Sequence, residues 1–517
     1  MTSERFAGAA AAIVARLMAT VTPPRPAAAD PPPADGPHGT SRRPSRVWLA
    51  GLATSVGVAA LCFVLYTPSF VNYDAQWALV WARDAWQGFL PEYTADFAPT
   101  PHPLAIAASS LALPFGAGAD AAILWLTLLS FGALVFLTYR LGAELFTRWV
   151  GVVAALVVLS RPVIARDALI GYQDLPFAAL VVGAVLLEAQ RARRGLPVLA
   201  LLALAGLLRP EAWVLAALYW LYLWPAGTVR DRIRSGAVVA AAPLIWAATD
   251  WIVTGDPLHS LHGTAALAEE ADRRRSVEDV PFWTAQYFGY ALREPLLVGI
   301  PVGLAFAWLH VRRRALLPLA VVAAMVAVFA VGPLFGLPLI RRYIDTPAVL
   351  LTLFYGLAVC GFTLLPRGRS RTRWMIVGGL AAALSFAYLP WHVAQLDTVD
   401  RRVRLDGKLY RHLERVGTSP RVRAAFERCA PLTSGDHRPI PFIRFWLDGE
   451  PGSVGTVASG ASPMGRVLLL PRRGRTTRRI YRGGEFPKVR RPDGYVRVYR
   501  NRSWRVLAAP GCAAPRR

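Results

Sequence analysis

The chain consists largely of long apolar blocks that are separated by short, arginine-rich segments. A helix that crosses the hydrocarbon core of a bilayer needs roughly 20 apolar residues, and many of these blocks approach that length. The pattern therefore predicts an all-α polytopic membrane protein with about eleven transmembrane helices. The predicted spans are residues 47–69, 119–138, 149–163, 175–190, 196–208, 211–224, 236–253, 295–311, 316–336, 344–366 and 374–392.

The arginine clusters between these blocks predict the orientation of the chain. When the spans alternate from a cytoplasmic N terminus, the clusters near residues 43, 192, 232, 313 and 370 all fall inside. Because arginine-rich loops remain in the cytoplasm, this agreement predicts a multi-pass plasma-membrane (inner-membrane) protein with an extracytoplasmic C-terminal segment. The two short spans at 196–208 and 211–224 are the weak point, since one continuous helix there would reverse every later loop.

Three regions follow from this division. Residues 1–46 are rich in Ala and Pro and predict a disordered cytoplasmic arm. Residues 47–393 form the predicted transmembrane domain. In its first outer loop, residues 75–112 predict helices that lie at the membrane interface. Residues 394–517 predict a small, basic α/β extracytoplasmic domain, with a helix over 407–428 and a hairpin that turns at Asn501 and Arg502.

The basic charge of the chain does not indicate nucleic-acid binding. The formal net charge is +25 at pH 7, and the only lysines are Lys408 and Lys488. Throughout the first 393 residues, arginines lie between apolar blocks, as in membrane proteins, and in the C-terminal region they suit a solvated surface or one that faces lipid headgroups. High Arg, Ala and Pro with little Lys is typical of GC-rich bacteria such as actinobacteria, so cell-envelope molecules are the expected partners.

Cys429 and Cys512 lie near the two ends of the C-terminal region. In an oxidising compartment they would form a disulfide that closes a long loop. The alternative is a pair of unpaired buried thiols.

Acidic residues in the predicted outer loops are the candidates for catalysis. Asp74 follows the first span beside Tyr73 and tryptophans, where a carboxylate could act as a general base. Asp167 and Asp174 bracket the loop before the span at 175–190, and an acid at the membrane boundary is a functional candidate. Asp74 and Asp174 also suit a purely structural role as helix N-caps.

Basic residues and histidines in the same outer loops are candidates for substrate binding. Arg209, Arg341 and Arg342 could bind phosphate through their guanidinium groups, although Arg209 could instead only snorkel to the interface. His102 lies between two prolines in the first outer loop. His259 and His262 could share a metal if they lie on a helix, but the neighbouring Gly and Pro favour a loop.

The order of these features resembles the GT-C superfamily of membrane glycosyltransferases. The similarity rests on an outer Asp after the first span, two interfacial helices, HPL…LPFG, RDALIGYQDLPFAALVVGAVLL, GLLRPEAWVL, TGDPLHS and RRYIDTPAVLL. These motifs resemble the branch that contains protein mannosyltransferases, the lipid A aminoarabinose transferase and actinobacterial arabinosyl- and mannosyltransferases. The resemblance covers roughly residues 47 to 393.

This resemblance implies an activity and assigns roles. Such enzymes transfer a hexosyl or pentosyl group from a polyprenyl-phosphate donor to an extracytoplasmic acceptor, usually with inversion. The family's base falls on Asp74 and its second acid on Asp174, with Asp167 beside it, while Arg209, Arg341 and Arg342 take the phosphate-binding positions. Many relatives have Asp-Glu at the first site, whereas Ala75 follows Asp74 here, so a divalent cation is only a candidate cofactor.

Two other classes compete with this hypothesis. A transporter or lipid flippase would show internal repeats and mid-membrane charges, whereas the acids here lie at the predicted outer boundary. A non-catalytic scaffold would present the basic C-terminal region to anionic polymers.

Overall fold

The computed structural model of the protein describes residues 44–457, 464–474, 477, 489 and 491–513. The predicted arm at 1–46 lies outside the described residues except for its last three positions, which begin the first helix. The first α-helices of the described residues are α1 (Pro44–Tyr66), α2 (Tyr73–Trp86), α3 (Pro103–Ala112), α4 (Ala119–Leu145), α5 (Arg148–Ser160), α6 (Pro162–Leu169), α7 (Asp174–Gln190), α8 (Leu196–Gly206), α9 (Glu211–Leu223), α10 (Val229–Thr254), α11 (His259–Glu270) and α12 (Val280–Leu292). The remaining helices of this part are α13 (Leu296–His310), α14 (Arg312–Val331), α15 (Arg342–Cys360) and α16 (Arg369–Ala387).

Two helices form the centre of this bundle. Helix α4 packs against α1, α5 and α7, and helix α15 packs against α13, α14 and α5. Glycines allow the backbones to approach closely: a Cβ added at Gly132 would lie 2.5 Å from the Cα of Ser55. Small residues at helix contacts are typical of membrane proteins, where tight packing replaces the hydrophobic effect as the source of association.

The outer surface of the bundle is apolar. On α1, Trp48 is 80% exposed and Val64 is 75% exposed, which would be costly in water and is expected against lipid. Five helical segments within the described residues are long and apolar enough to cross a membrane, and as many as eight if three bent pairs each count as one span. Every predicted span coincides with a helix, but α7, α8 and α9 fall short of that length, so a count of eleven crossings is not confirmed.

Two predicted loops are partly helical. The loop at 164–174 contains most of α6, which continues α5 after a bend of 59° at Arg161. The polar loop at 254–294 contains α11 and α12, and α12 meets α13 at an angle of 99°. The apolar character of Val280–Leu292 was the available sequence signal for α12.

The C-terminal region begins with a long helix that leaves the bundle. Helix α17 (Leu389–Gly417) follows α16 with a bend of 47°, and α18 (Pro420–Cys429) packs beside it. The remaining elements are β1 (Leu432–Ser434), α19 (Ile440–Leu447), β2 (Val454–Thr456), β3 (Val467–Pro471), β4 (Val496–Arg500) and β5 (Trp504–Ala508).

These strands form one mixed sheet in the order β2-β1-β3-β5-β4. Strand β1 is parallel to β2 and β3, whereas β5 is antiparallel to β3 and β4. The β4–β5 hairpin turns at the residues predicted from the alternating sequence. A disulfide joins Cys429 to Cys512, linking the end of α18 to the segment after β5.

Candidate functional site

A cavity of about 1360 Å³ lies between the bundle and the C-terminal region. Its polar part is lined by residues that are far apart in sequence, from the starts of α2, α7, α9 and α15 and from the segment after β1. These polar lining residues include Tyr73, Asp74, His102, Asp174, Arg209, Glu211, Arg342 and Asp436.

Arg342 joins the two predicted catalytic acids. Its Nη1 atom lies 3.1 Å from Oδ2 of Asp74 and 3.4 Å from Oδ2 of Asp174. The guanidinium group also lies over the ring of Tyr172, 4.5 Å from the centroid. A planar guanidinium group can serve several acceptors at once, so this one side chain fixes the spacing of both carboxylates.

Arg209 forms a second pairing at the buried side of the cavity. It donates to Asp174 and, from Nη2, to Oε1 of Glu211 at 2.6 Å. All three side chains are buried, and Tyr343 packs on the guanidinium group at 4.6 Å. Arg209 is therefore held inside the protein and does not snorkel to the surface. Because two cavity-lining arginines face three carboxylates here, an incoming anion would compete with these acids for the guanidinium groups.

Arg341 lies outside the set of residues that line the cavity. Its Nη2 donates to Oδ2 of Asp167 at 2.5 Å, and its Nη1 lies 2.6 Å from Oδ2 of Asp345. Asp167 also pairs with Arg166 at 3.2 Å. The structure thus places two of the predicted site residues, Asp167 and Arg341, in an ion-pair network behind the cavity.

Neither predicted N-cap role matches the structure. Asn72 is the N-cap of α2, and its side chain accepts hydrogen bonds from the backbone N–H groups of Asp74 and Ala75 at 2.8 and 3.1 Å. Asp174 is the first residue of α7, and the N-cap position belongs to Gln173. Both carboxylates are therefore free of a capping role and point to arginines instead.

His102 lies next to this polar cluster. It precedes α3 and borders the cavity, and its ring contacts Trp246 edge-on with centroids 5.5 Å apart. Burial, with the neighbouring Arg209 and Arg342, lowers the pKa of His102 to about 3. Its Nδ1 atom has no hydrogen-bond partner among the described residues. His102 is thus a neutral imidazole at pH 7.

His259 and His262 begin α11, so the predicted loop there is wrong. His262 pairs through Nδ1 with Asp256 at 2.7 Å, and His259 stacks on Tyr93 with centroids 6.3 Å apart. Neither histidine lines the cavity.

An aromatic cluster borders the cavity beside Asp74. The Tyr73 hydroxyl donates to the backbone carbonyl of Phe97 at 3.0 Å, and Phe97 stacks on His437 at 4.4 Å. His437 belongs to the segment Gly435–Arg438, whose four residues all line the cavity. This contribution from the C-terminal region was not predicted. The available signal was a polar run directly after a short buried strand, a position where parallel sheets often bind ligands.

Buried ion pairs hold the C-terminal region in this position. Arg444 donates to Oδ2 of Asp84 at 2.8 Å and to Oε2 of Glu92 at 3.0 Å. Arg83 donates to backbone carbonyls of the same segment, including that of Gly449 at 2.8 Å. Burial raises the pKa of Asp84 to about 6, against the opposing effect of Arg444 and Arg83, so the carboxylate is ionised at neutral pH.

The cavity continues into an apolar part between α10, α11 and α14. Leu244, Trp246, Ala247, Val328 and Phe329 are among its lining residues. Asp250, Glu270, Asp272 and Arg273 also line the cavity near these helices. The cavity therefore combines charged side chains with an apolar lining that is suited to an aliphatic chain.

The polar cluster does not match a divalent-cation site. Divalent cations require several oxygen ligands, and Arg342 occupies the position between Asp74 and Asp174 that a bridging metal would need. Among the described residues there is no group of three or more His, Cys, Asp or Glu side chains that could hold a metal ion.

Comparisons with known proteins identify the fold. No protein-family model and no curated protein matches the chain by sequence. Its structure is similar to that of ArnT from Cupriavidus metallidurans bound to undecaprenyl phosphate, with a TM-score of 0.55 at 13% identity over 92% of this chain and 100% of that one. The chain has the GT-C fold. The apo state of the same ArnT gives a TM-score of 0.50 at 12% identity over 91% and 100% of the two chains.

The GT-C fold covers the C-terminal region as well as the bundle, because the alignment to ArnT spans nearly the whole chain. An oligosaccharyltransferase of Archaeoglobus fulgidus in complex with Zn and sulfate aligns over 79% of this chain and 62% of its own, at 13% identity and a TM-score of 0.46. The similarity to ArnT confirms, at the level of the fold, the resemblance stated from the sequence motifs, and with the apolar helices it makes the chain a multi-pass membrane protein.

Proposed function

We propose that this protein is an integral membrane glycosyltransferase of the plasma membrane. It transfers a hexosyl or pentosyl group from a polyprenyl-phosphate donor to a cell-envelope acceptor on the extracytoplasmic face. The observation that carries the proposal is the pair of acids, Asp74 and Asp174, bridged by Arg342 in a cavity that also has an apolar lining.

The apolar lining of the cavity suits the prenyl chain of such a donor, and the arginines suit its phosphate. The prenyl chain would occupy the apolar part beside Leu244 and Phe329. The phosphate would meet Arg342 and Arg209 at the membrane boundary, where guanidinium groups match phosphate oxygens in geometry and charge. Arg341 would act indirectly, through Asp167 and Asp345, because it lies behind the lining residues.

Binding of the donor would itself free Asp74 to act as the base. In this structure Asp74 is paired with Arg342. A donor phosphate that takes over the guanidinium group of Arg342 releases the carboxylate of Asp74, while Asp174 keeps both Arg209 and Arg342 in place. The acid is thus restrained until the donor is present.

The chemical step then needs only groups of this chain and the two substrates. The acceptor hydroxyl gives its proton to Asp74 as its oxygen attacks the anomeric carbon. The bond from that carbon to the phosphate oxygen breaks, and the electron pair leaves with polyprenyl phosphate, whose charge the arginines stabilise. Attack from the side opposite the phosphate inverts the anomeric centre.

The aromatic cluster supports a sugar position next to Asp74. Tyr73, Phe97 and His437 border this part of the cavity, and flat rings of this kind suit the apolar face of a pyranose or furanose. The acceptor, a glycan, lipid or protein of the cell envelope, would enter between the first outer loop and Gly435–Arg438.

The orientation of the chain follows from the same proposal together with its charge pattern. The positive-inside rule puts the arginine clusters near residues 192 and 232 in the cytoplasm and the cavity outside. The C-terminal region, which borders the cavity, is then extracytoplasmic.

The experiment that tests the proposal is a transfer assay with the purified full-length chain in lipid. Radiolabelled decaprenyl- or undecaprenyl-phosphate sugars would be supplied with cell-envelope acceptors extracted from the native cell. Label that moves to an acceptor in a protein-dependent manner supports the transferase. If no donor yields product although the protein binds polyprenyl phosphate, or if vesicles containing the protein translocate the labelled lipid without transfer, the transferase proposal fails.

A further inference from the structure

A second, smaller cavity lies at the opposite end of the bundle from Asp74 and Asp174. It measures about 240 Å³ and is bordered by the segment between α7 and α8, the end of α9 and the start of α10. Helix α7 begins at Asp174 in the large cavity and ends at Gln190, a distance of about 25 Å at 1.5 Å per residue. The two cavities therefore lie near opposite faces of the bundle.

The small cavity is rich in arginine. Arg193, Arg232 and Arg234 line it, and Asp231 is its only acidic lining residue. Asp231 is engaged in the capping box of α10, where its Oδ2 accepts from the Thr228 hydroxyl at 2.7 Å. The start of a helix adds further positive potential, since its free N–H groups carry partial positive charge.

The other nearby acid is also engaged. Glu188 accepts hydrogen bonds from the backbone N–H groups of Arg193 and Arg194 and from the hydroxyl of Tyr219. The Nε atom of Arg193 is buried and has no hydrogen-bond partner among the described residues, although its guanidinium group lies over the ring of Tyr222. Positive charge at this cavity thus exceeds the negative charge that the described chain supplies.

The tryptophans and exposed apolar side chains around the cavity favour a ligand that has both a charged group and apolar chains. Trp220 and Trp224 border it, and Trp220 is fixed by a hydrogen bond from Nε1 to the carbonyl of Arg232 at 3.0 Å. Tryptophans beside arginines are typical of the membrane–water interface, where the lipid headgroups lie. The side chains of Leu221, Val229 and Ile233 are exposed around the cavity, as expected where they meet acyl chains.

From this arrangement we infer that the small cavity binds the headgroup of an anionic phospholipid of the leaflet opposite the catalytic cavity. The phosphate pairs with Arg193 and Arg234, and the acyl chains lie along the exposed apolar side chains of α9 and α10. A basic pocket between membrane helices is suited to such a headgroup. Inorganic phosphate offers the same charge but lacks the chains that the exposed apolar surface favours.

Native mass spectrometry of the detergent-purified protein tests this inference. The protein would be incubated with phosphatidylglycerol or with phosphatidylcholine of identical acyl chains. We expect one tightly retained phosphatidylglycerol in the wild type and a loss of affinity on the order of tenfold or more in the double variant Arg193→Gln/Arg234→Gln. Thermal unfolding in phosphatidylcholine would show that the variant remains folded.

The double variant Arg313→Gln/Arg314→Gln is the matched control, because these arginines are exposed and outside the cavity. It should retain phosphatidylglycerol as the wild type does. Equal retention by the cavity variant, equal loss by the control, or displacement of the lipid by inorganic phosphate at comparable concentration would each overturn the inference. Sugar transfer is not part of the measurement, so its result is independent of the proposed function.

Discussion

Arg444 places Nη2 2.8 Å from Oδ2 of Asp84, and both side chains are completely buried. The two residues lie 360 positions apart in the chain. Asp84 belongs to α2 and Arg444 to α19, so this pair joins two parts of the chain whose neighbouring residues, Asp74 and Asp436 among them, line the cavity.

Breaking this pair should loosen the C-terminal region. Arg444→Met leaves the buried Asp84 with the longer ion pair to Arg83, at 3.9 Å, and the loss of the closer partner costs about 3 kcal/mol. We expect a lower unfolding temperature and faster proteolytic release of the C-terminal region than in the wild type. The double variant Asp84→Leu/Arg444→Met should recover part of this loss because it removes both charges. If the double variant is less stable than Arg444→Met, the pair is not what holds the two segments together.

Arg342 is expected to contribute to sugar transfer through the several N–H donors of its planar guanidinium group. Arg342→Gln should lower kcat/KM by about 100-fold or more, because it removes a charged donor from the leaving phosphate. Arg342→Lys should lie between this variant and the wild type, since it keeps the charge but cannot serve several acceptors in one plane. Steady-state kinetics with the lipid donor gives both values. The exposed Arg401→Gln is the control, and wild-type kinetics in Arg342→Gln would remove this residue from the reaction.

Transfer should not depend on a divalent cation. Asp74 and Asp174 already share the guanidinium group of Arg342, and these acids lack the further ligands that a divalent cation needs. Purified protein treated with EDTA and then dialysed should keep its rate of transfer. Loss of activity that Mg²⁺ or Mn²⁺ restores would show that the carboxylates rearrange around a metal in the complex with substrate.

His102 should make the protein sensitive to acid. Because burial and neighbouring arginines hold its pKa near 3 in the folded state, the imidazole gains a proton below about pH 6.5 only on unfolding. Its contribution to stability is therefore complete above about pH 6.5 and declines as the pH falls towards 3, by at most about 1.4 kcal/mol per pH unit.

The variant His102→Phe removes this titration. Its unfolding temperature should fall less steeply than that of the wild type between pH 6.5 and 4.5. Parallel slopes for wild type and His102→Phe would contradict the pKa.

The sequence predicted the helices well because membrane helices leave long apolar blocks between charged segments. It also named Asp74, Asp174, Arg209 and Arg342 as candidate site residues because all were expected in outer loops, and the structure brings these four together. Sequence patterns could not show that Arg342 bridges the two acids, because side-chain pairing depends on how the helices pack.

Contacts between distant segments explain the rest of what was missed. Glu211 begins α9, and sequence patterns did not show that it also accepts a hydrogen bond from Arg209. His437 borders the cavity because the C-terminal region packs against the segment that contains Asp84 and Glu92, to which Arg444 donates hydrogen bonds. The histidines of α11 were expected in a loop because a nearby Gly and Pro outweighed the weak helical pattern that follows them.

The most direct test of the proposed mechanism compares Asp74→Asn with the wild type in the transfer assay. Asp397→Asn serves as the control, since this acid is exposed on α17 and does not line the cavity. We predict label on the acceptor for the wild type and the control, and none for Asp74→Asn at equal expression in the membrane and equal binding of polyprenyl phosphate. Transfer by Asp74→Asn at the wild-type rate would contradict the assignment of Asp74 as the base.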